Sequence, residues 1–169
     1  MQEATRLGER ENRRVCDIAS QAHAMPDETS LPLYRFDDAD AQLTLLPMAA
    51  RRALDCAGLH LSLRGWQALS QAERRALIRL GAADAVDCGR VAELLAARSA
   101  DIRPTPPLKE AESDQGPSPQ LLEALPQGHG LGVARWCALS ALDRYVLVQL
   151  ARRGKLDRLA TAYAEICGS

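Results

Sequence analysis

Side chains able to bind a metal or act as a nucleophile are few in this sequence and widely spaced. The chain has five cysteines and three histidines. They are Cys16, Cys56, Cys88, Cys137 and Cys167, with His23, His60 and His129. None of them shows the short spacing that is typical of zinc ligands. The odd number of cysteines and their helix-like surroundings predict small buried thiols rather than a disulfide framework.

Two clusters superficially resemble ligand-binding motifs. Asp37, Asp38 and Asp40 suggest a divalent cation, but the other ligands and the glycine of an EF-hand are missing, so a solvated turn or helix start is the simpler interpretation. The glycine-rich stretch 127–132 lacks the preceding strand and the lysine of a phosphate-binding loop, and it predicts a turn. We therefore expect no catalytic residue, no metal and no cofactor, and we predict that the protein is not an enzyme.

Two arginines remain as candidates for contact with a ligand or a partner. Arg74 and Arg144 each follow an acidic residue, in the same local pattern and seventy residues apart. One hypothesis is structural: the guanidinium bridges to a carboxylate or to backbone carbonyls of the other half of the molecule. The alternative is a small-molecule or cofactor-binding protein in which both guanidiniums face an anionic ligand between the two halves. Burial and pairing of the guanidiniums distinguish these hypotheses.

The two arginines belong to a segment that the chain contains twice, because residues 61–80 recur as residues 131–150. The corresponding pairs include Trp66 and Trp136, Ser70 and Ser140, Glu73 and Asp143, and Arg74 and Arg144. Two copies are too few for a solenoid, so we expect the halves to pack face to face with pseudo-twofold symmetry. Each tryptophan should anchor the core of its half and donate its indole N–H to a backbone carbonyl. The rival interpretation is an exposed tryptophan that binds a partner.

Helices with recognisable ends should position these residues. Ser70 with Glu73 predicts a capping box at a helix start, and Ser140 with Asp143 predicts a weaker one, because aspartate is the shorter acid. Gly58 predicts a helix end in the left-handed conformation. Leucines that alternate over 59–63 predict an extended segment directly after that end.

Composition favours helices along the whole chain. Leucine, alanine and arginine are abundant, whereas aromatic residues make up 4% of the 169 positions. We predict an all-α fold, a two-repeat helical domain with halves joined by a proline-rich linker. The parts are a poorly packed N-terminal extension (1–30), a first repeat (31–98), a Pro/Ser/Glu-rich linker (99–118) and a second repeat (119–169), with 31–169 as one domain.

Charge and hydropathy exclude several kinds of partner. The formal net charge of −1 is not the strongly basic balance of a nucleic-acid-binding domain. The longest apolar runs fall far short of the roughly twenty residues that span a bilayer. Residues 1–24 lack the apolar centre of a signal peptide. We thus expect a cytoplasmic monomer or dimer that binds neither nucleic acid nor membrane.

The repeated segments and their flanks carry a resemblance to a known family. In the first half the matching residues are Leu46, Pro47, Met48, Arg51, Leu54, Asp55, Gly58, Leu59, Leu61, Leu63, Trp66, Leu69, Glu73, Arg74 and Leu77. In the second half they are Trp136, Leu139, Arg144, Leu147 and Leu150. The pattern resembles the nitrate reductase-associated proteins, small cytoplasmic proteins often encoded beside genes for assimilatory nitrate reductase or molybdopterin synthesis. The resemblance implies an accessory protein that contacts nitrate reductase or molybdenum-cofactor maturation proteins, and it supplies no catalytic residue.

Overall fold

The computed structural model describes residues 30–107, 115–126 and 130–168, which are mainly helical. The helices are α1 (Met48–Cys56), α2 (Leu63–Ala68), α3 (Gln71–Ala82), α4 (Cys88–Leu95), α5 (Pro119–Ala124), α6 (Val133–Ala138), α7 (Ala141–Arg152) and α8 (Leu156–Cys167). Short 3-10 helices lie at Arg35–Asp37 and Ala96–Asp101. Among the described residues, no helix combines the length and apolar content that crossing a membrane requires. The expected extension, except for residue 30, lies outside the described part, as do residues 127–129 of the glycine-rich stretch.

A small antiparallel sheet departs from the predicted all-α fold. Strand β1 (Leu59–Leu61) pairs with β2 (Ile102–Pro104). As the alternating leucines predicted, β1 is extended, with His60 exposed and Leu61 buried. The predicted extended segment over 59–63 is too long, because Leu63 begins α2 and is 51% exposed. An extended segment needs partners for its backbone N–H and C=O groups, and β2, inside the stretch interpreted as a linker, supplies them. The fold is mainly helical, as predicted, and this small sheet is the part that the all-α prediction omitted.

One compact unit contains residues 30–107 and 164–168, and the packing of α1 on α3 is at its centre. Ala49, Ala50 and Ala53 form a face of α1 that is 0% exposed. Gly81 of α3 lies so close to the Ala49 carbonyl that a Cβ atom at this glycine would overlap it. Small residues on both helices thus allow the two backbones to approach closely.

The other compact unit contains residues 115–126 and 130–163. Helix α7 forms its core, since nine of its twelve residues are buried, among them Tyr145 and Leu147 at 0% exposure. Helix α5 packs against α7, and its Leu121 is also fully buried. Ser118 caps α5 by accepting a hydrogen bond from the Leu121 amide, with Pro119 in the first turn, where its missing N–H has no cost.

Helices of equal length occur at corresponding sequence positions in the two units. Helices α2 and α6 have six residues each, and α3 and α7 have twelve each. The leucine between the paired helices has nearly the same backbone angles in both cases, φ −70° and ψ 147° at Leu69 and φ −72° and ψ 147° at Leu139. Local structure therefore follows the sequence register. The pseudo-twofold packing of the halves and the division into domains remain predictions.

Candidate functional site

The tryptophan of the first motif lies in the core of its unit. Ser62 starts α2 by accepting a hydrogen bond from the Gly65 amide at 3.0 Å, and the helix places Trp66 at 0% exposure. Its indole Nε1 donates to the carbonyl oxygen of Leu43 at 2.7 Å. The predicted geometry, a buried indole with a backbone carbonyl as acceptor, is confirmed at Trp66.

The Arg74 guanidinium donates hydrogen bonds to backbone carbonyls around that tryptophan. Its Nε donates to the Trp66 oxygen at 3.1 Å, and its Nη2 donates to the Gln67 oxygen at 2.6 Å. Its Nη1 is shared by the oxygens of Gln42 at 2.7 Å and Leu43 at 3.3 Å. The guanidinium carbon lies 5.8 Å from the centroid of the Trp66 ring, within the range of a cation–π contact. Every nitrogen of this guanidinium therefore has a carbonyl acceptor.

These contacts connect α3 to α2 and to the loop before α1, all within one unit. The expectation that Arg74 bridges to the other half is therefore wrong, because its acceptors belong to residues 42–43 and 66–67. A six-residue helix leaves its last carbonyls without intrahelical donors, and a planar guanidinium can supply several donors at once. An anionic ligand would have to compete with four carbonyls, so the geometry of Arg74 does not support the ligand hypothesis.

Capping boxes start both long motif helices, as predicted. At α3, the Ser70 hydroxyl accepts from the Glu73 amide at 3.2 Å, and the Glu73 carboxylate accepts from the Ser70 amide at 2.6 Å. At α7, the corresponding distances between Ser140 and Asp143 are 3.1 and 3.2 Å. The longer contact to the acid at α7 agrees with the shorter side chain of Asp143. These four side chains serve the starts of the two helices.

The second motif keeps the buried tryptophan but not the full set of arginine contacts. Trp136 is 1% exposed. Arg144 donates from Nη1 to the Leu139 oxygen at 3.2 Å, and its buried Nε has no hydrogen-bond partner among the described residues. Among the described residues Arg144 therefore has fewer backbone contacts than Arg74, whose acceptors at residues 42–43 correspond to positions 112–113, outside the described part. Arg144 stays a candidate for contact with a partner or a ligand.

The clustered aspartates form local hydrogen bonds that order the turn before α1. Asp37 accepts from the Met48 amide at 3.0 Å and so contacts the start of α1. Asp40 accepts from the Thr44 hydroxyl at 2.7 Å and from its amide at 2.9 Å. These two hydrogen bonds, the hydroxyl first, lower the pKa of Asp40 below its usual value. The geometry favours the turn interpretation, and the described residues include no group of side chains able to hold a metal ion.

The described cysteines are of two kinds. Cys56, Cys88 and Cys167 are not disulfide-bonded, and Cys167 is buried as expected, but Cys56 is half-buried and Cys88 is exposed, so the expectation of a buried thiol is wrong at Cys88. Cys137 is 3% exposed and disulfide-bonded, so the expectation of a free thiol is wrong at this position. Spacing along the chain does not show which thiols meet, because a disulfide depends on Cα distances and directions that only the fold sets.

Sequence reasoning missed a buried arginine of α1 whose guanidinium binds the end of α3. Arg52 is 0% exposed. Its Nη1 donates to the carbonyl oxygens of Gly81 at 2.6 Å and Ala83 at 2.5 Å, and its Nη2 donates to Asp84 at 3.0 Å. The helix dipole and the unpaired carbonyls of the last turn both favour a cation there. Its burial could have been predicted from the sequence, because Arg52 is next to Ala53 on the alanine face of α1.

A shallow groove of about 600 Å³ lies between α3 and α4. Leu80 and Leu94 contribute to its mostly apolar lining. Arg90 and Glu93, which also line it, form an exposed ion pair at 3.7 Å. The groove combines an apolar lining with an exposed ion pair. Such a surface suits binding of another molecule better than acid–base catalysis.

The fold and the site together define a mainly helical protein in which the residues shared by both motifs form anchors, helix caps and carbonyl contacts. The chain belongs to the family of conserved nitrate reductase-associated proteins, whose sequence profile matches residues 33–165. This match confirms the resemblance that the motif residues indicated. Neither a curated protein nor a solved structure matches the chain.

Proposed function

We propose that this chain is a non-enzymatic accessory protein that supports the maturation or activity of a molybdenum-dependent assimilatory nitrate reductase through protein–protein contacts. The family match over residues 33–165 carries the proposal, because the family is described by its association with nitrate reductase. The geometry of the motifs adds support. The polar groups of Ser70, Glu73 and Arg74 are engaged in hydrogen bonds to backbone atoms, which is the behaviour of a scaffold.

Deletion of the gene in its native host tests this function. With nitrate as the nitrogen source we expect slow or absent growth and low reductase activity, whereas growth on ammonium should be normal. Expression of the intact chain from a second locus should restore growth on nitrate. Unchanged reductase activity in the deletion strain would refute the proposal.

The same strain separates support of maturation from support of activity. If the chain acts in maturation, the reductase purified from the deletion strain should be present as protein but low in molybdenum. If it supports the mature enzyme, the metal content should be normal and the activity should rise when the purified chain is added. In either case a tagged chain should co-purify with the reductase or with a cofactor-maturation protein, and a tagged chain that retains neither would contradict the proposed contact.

A further inference from the structure

A strongly basic turn connects α7 to α8. Arg152, Arg153 and Lys155 are all exposed. The next residue, Leu156, is 55% exposed. It occupies the first position of α8, one turn before Leu159, which is buried. We refer to Arg152, Arg153, Lys155 and Leu156 as the basic corner.

The backbone of the basic corner has its own hydrogen bonds. Gly154 adopts a left-handed φ of 62°, and its amide donates to the Ala151 oxygen at 3.0 Å. The amide of Lys155 donates to the Leu150 oxygen at 3.1 Å. This pair of bonds is the Schellman motif, which satisfies carbonyls at a helix end without any side chain. The turn is therefore rigid, and its cations are not required as donors.

The cations of the basic corner have no role inside the described structure. The side chains of Arg152, Arg153 and Lys155 form no hydrogen bond or ion pair with any described residue. Proximity to a helix C-terminus stabilises such cations only modestly at an exposed position. Three adjacent like charges also repel one another, so their clustering needs another explanation.

The first motif provides an internal comparison. With the offset of seventy residues, the basic corner corresponds to residues 82–86, Ala-Ala-Asp-Ala-Val, which include no cation. There the buried Arg52 supplies the donors for the carbonyls at the end of α3. The same helix end is thus built without exposed cations in one copy and with three in the other, so the local fold does not demand them.

We propose that the basic corner binds an acidic segment of a partner protein, with an apolar side chain of that segment covering Leu156. Charge complementarity argues for this occupant, since unpaired cations around an exposed leucine suit carboxylates around an apolar residue. The net charge of the chain is −1, so its surface offers few cations beyond the corner to neutralise phosphates, and a nucleic acid is a poorer candidate partner. The inference rests on the proposed function for the identity of the partner, the reductase or a cofactor-maturation protein.

Photo-cross-linking at Leu156 tests the corner directly. A benzophenone amino acid replaces Leu156 in the full chain, expressed in the native host during growth on nitrate, and a second strain carries it at Leu63, which is 51% exposed but outside the corner. We expect an adduct at position 156 that exceeds the adduct at position 63. Peptide mapping should place its attachment within a stretch of aspartate and glutamate residues.

Matched charge variants show whether the cations hold the partner. Arg152→Gln with Arg153→Gln and Lys155→Gln should lower the adduct yield by about tenfold, the effect of a few screened surface charges. The control is Arg64→Gln with Arg75→Gln and Arg103→Gln, which removes three exposed cations elsewhere and leaves the yield unchanged. Thermal unfolding of both triple variants checks that they remain folded.

Several outcomes would overturn the inference: no adduct at position 156 above the control, an adduct with nucleic acid, lipid or a second copy of this chain, or a yield that survives the corner variant. The two proposals fail separately. An acidic protein partner unrelated to nitrate reductase would support the corner and refute the proposed function. A growth defect of the deletion strain on nitrate, without an adduct at position 156, would support the proposed function and refute the binding at the basic corner.

Discussion

One buried side chain, Arg52, stabilises the packing of α1 on α3 in the unit that contains residues 30–107. Its guanidinium is fully enclosed and contacts three carbonyls at the end of α3. The bond to Gly81 is buried, whereas those to Ala83 and Asp84 are part-buried. A neutral replacement therefore leaves the buried Gly81 carbonyl without its donor, and this loss costs more than the hydrogen bond alone contributes.

We expect Arg52→Met to lower the free energy of unfolding by about 2 kcal/mol, because it leaves the buried Gly81 carbonyl without a donor and removes two part-buried hydrogen bonds at the end of α3. Urea unfolding followed by circular dichroism measures the change. Arg64→Met, at an exposed position, is the control and should change it by less than about 0.5 kcal/mol. A loss below about 1 kcal/mol at Arg52 would contradict the role derived from its contacts.

The two motif arginines should differ in their effects on stability. Arg74→Gln removes a side chain that donates to four carbonyls, and we expect it to cost about 2 kcal/mol of unfolding free energy. Arg144→Gln removes one such bond among the residues that the structure describes and should cost less than about 1 kcal/mol. The same urea experiment compares them. An equal or reversed ranking would show that the unequal contacts of the two guanidiniums do not set their contributions.

At the scale of elements, the crossing of α1 and α3 depends on a missing side chain. In the middle of an exposed helix, alanine in place of glycine stabilises by about 1 kcal/mol. At Gly81 the added methyl group would overlap the backbone carbonyl of Ala49, which cannot move aside as a flexible side chain can. Tertiary packing therefore reverses the sign that helix propensity predicts.

Gly81→Ala should accordingly destabilise the protein by about 2 kcal/mol or more, because the two helices must separate to accommodate it. Gly89→Ala, in the first turn of α4, is the matched control. Its Cβ would meet the Asp87 oxygen that caps α4, at 3.3 Å. This side chain can shift by a few tenths of an ångström where a backbone carbonyl cannot, so we expect a change of less than about 0.5 kcal/mol. Differential scanning calorimetry of both variants would decide, and a stabilised Gly81→Ala would disprove the close crossing.

For the molecule as a whole, the charge balance limits the choice of partners. The net charge is −1 and the isoelectric point is about 6.3, so the basic corner is a local feature of a nearly neutral chain. Long-range attraction to a polyanion needs many cations at once, whereas one short acidic segment needs only a few. The nearly neutral net charge therefore favours an acidic protein segment over a nucleic acid as the partner of the basic corner.

We therefore expect the intact chain to show no salt-dependent binding to duplex DNA. Fluorescence anisotropy of a labelled duplex, measured at about 50 and 200 mM salt, should stay at the value of the free duplex, because affinity for DNA scales with the number of phosphates neutralised. A basic DNA-binding domain serves as the positive control. Binding that weakens steeply between the two salt concentrations would return nucleic acid to the possible partners.

Features that depend on a few neighbouring residues were predictable from the sequence. Ser70 with Glu73 and Ser140 with Asp143 form the expected capping boxes. Gly58 follows α1 with a φ of 66°, as its position predicted. At these caps and at this helix end the interacting groups lie within one or two helical turns, so spacing alone brings them together. The burial of Trp66 was recognisable from its place in a recurring apolar pattern, whereas its acceptor, the Leu43 carbonyl, is 23 residues away and was not.

Contacts between distant residues were decided by the tertiary structure. The sequence by itself determined the capped helix starts at Ser70 and Ser140, the helix end at Gly58, the burial of the motif tryptophans and the family. Only the fold paired β1 with β2, turned Arg52 rather than its neighbour Arg51 inward, and gave Arg74 the carbonyls of residues 42–43. The physical reason is that local hydrogen bonds are set by chain geometry, whereas a partner twenty or more residues away is set by which surfaces pack together.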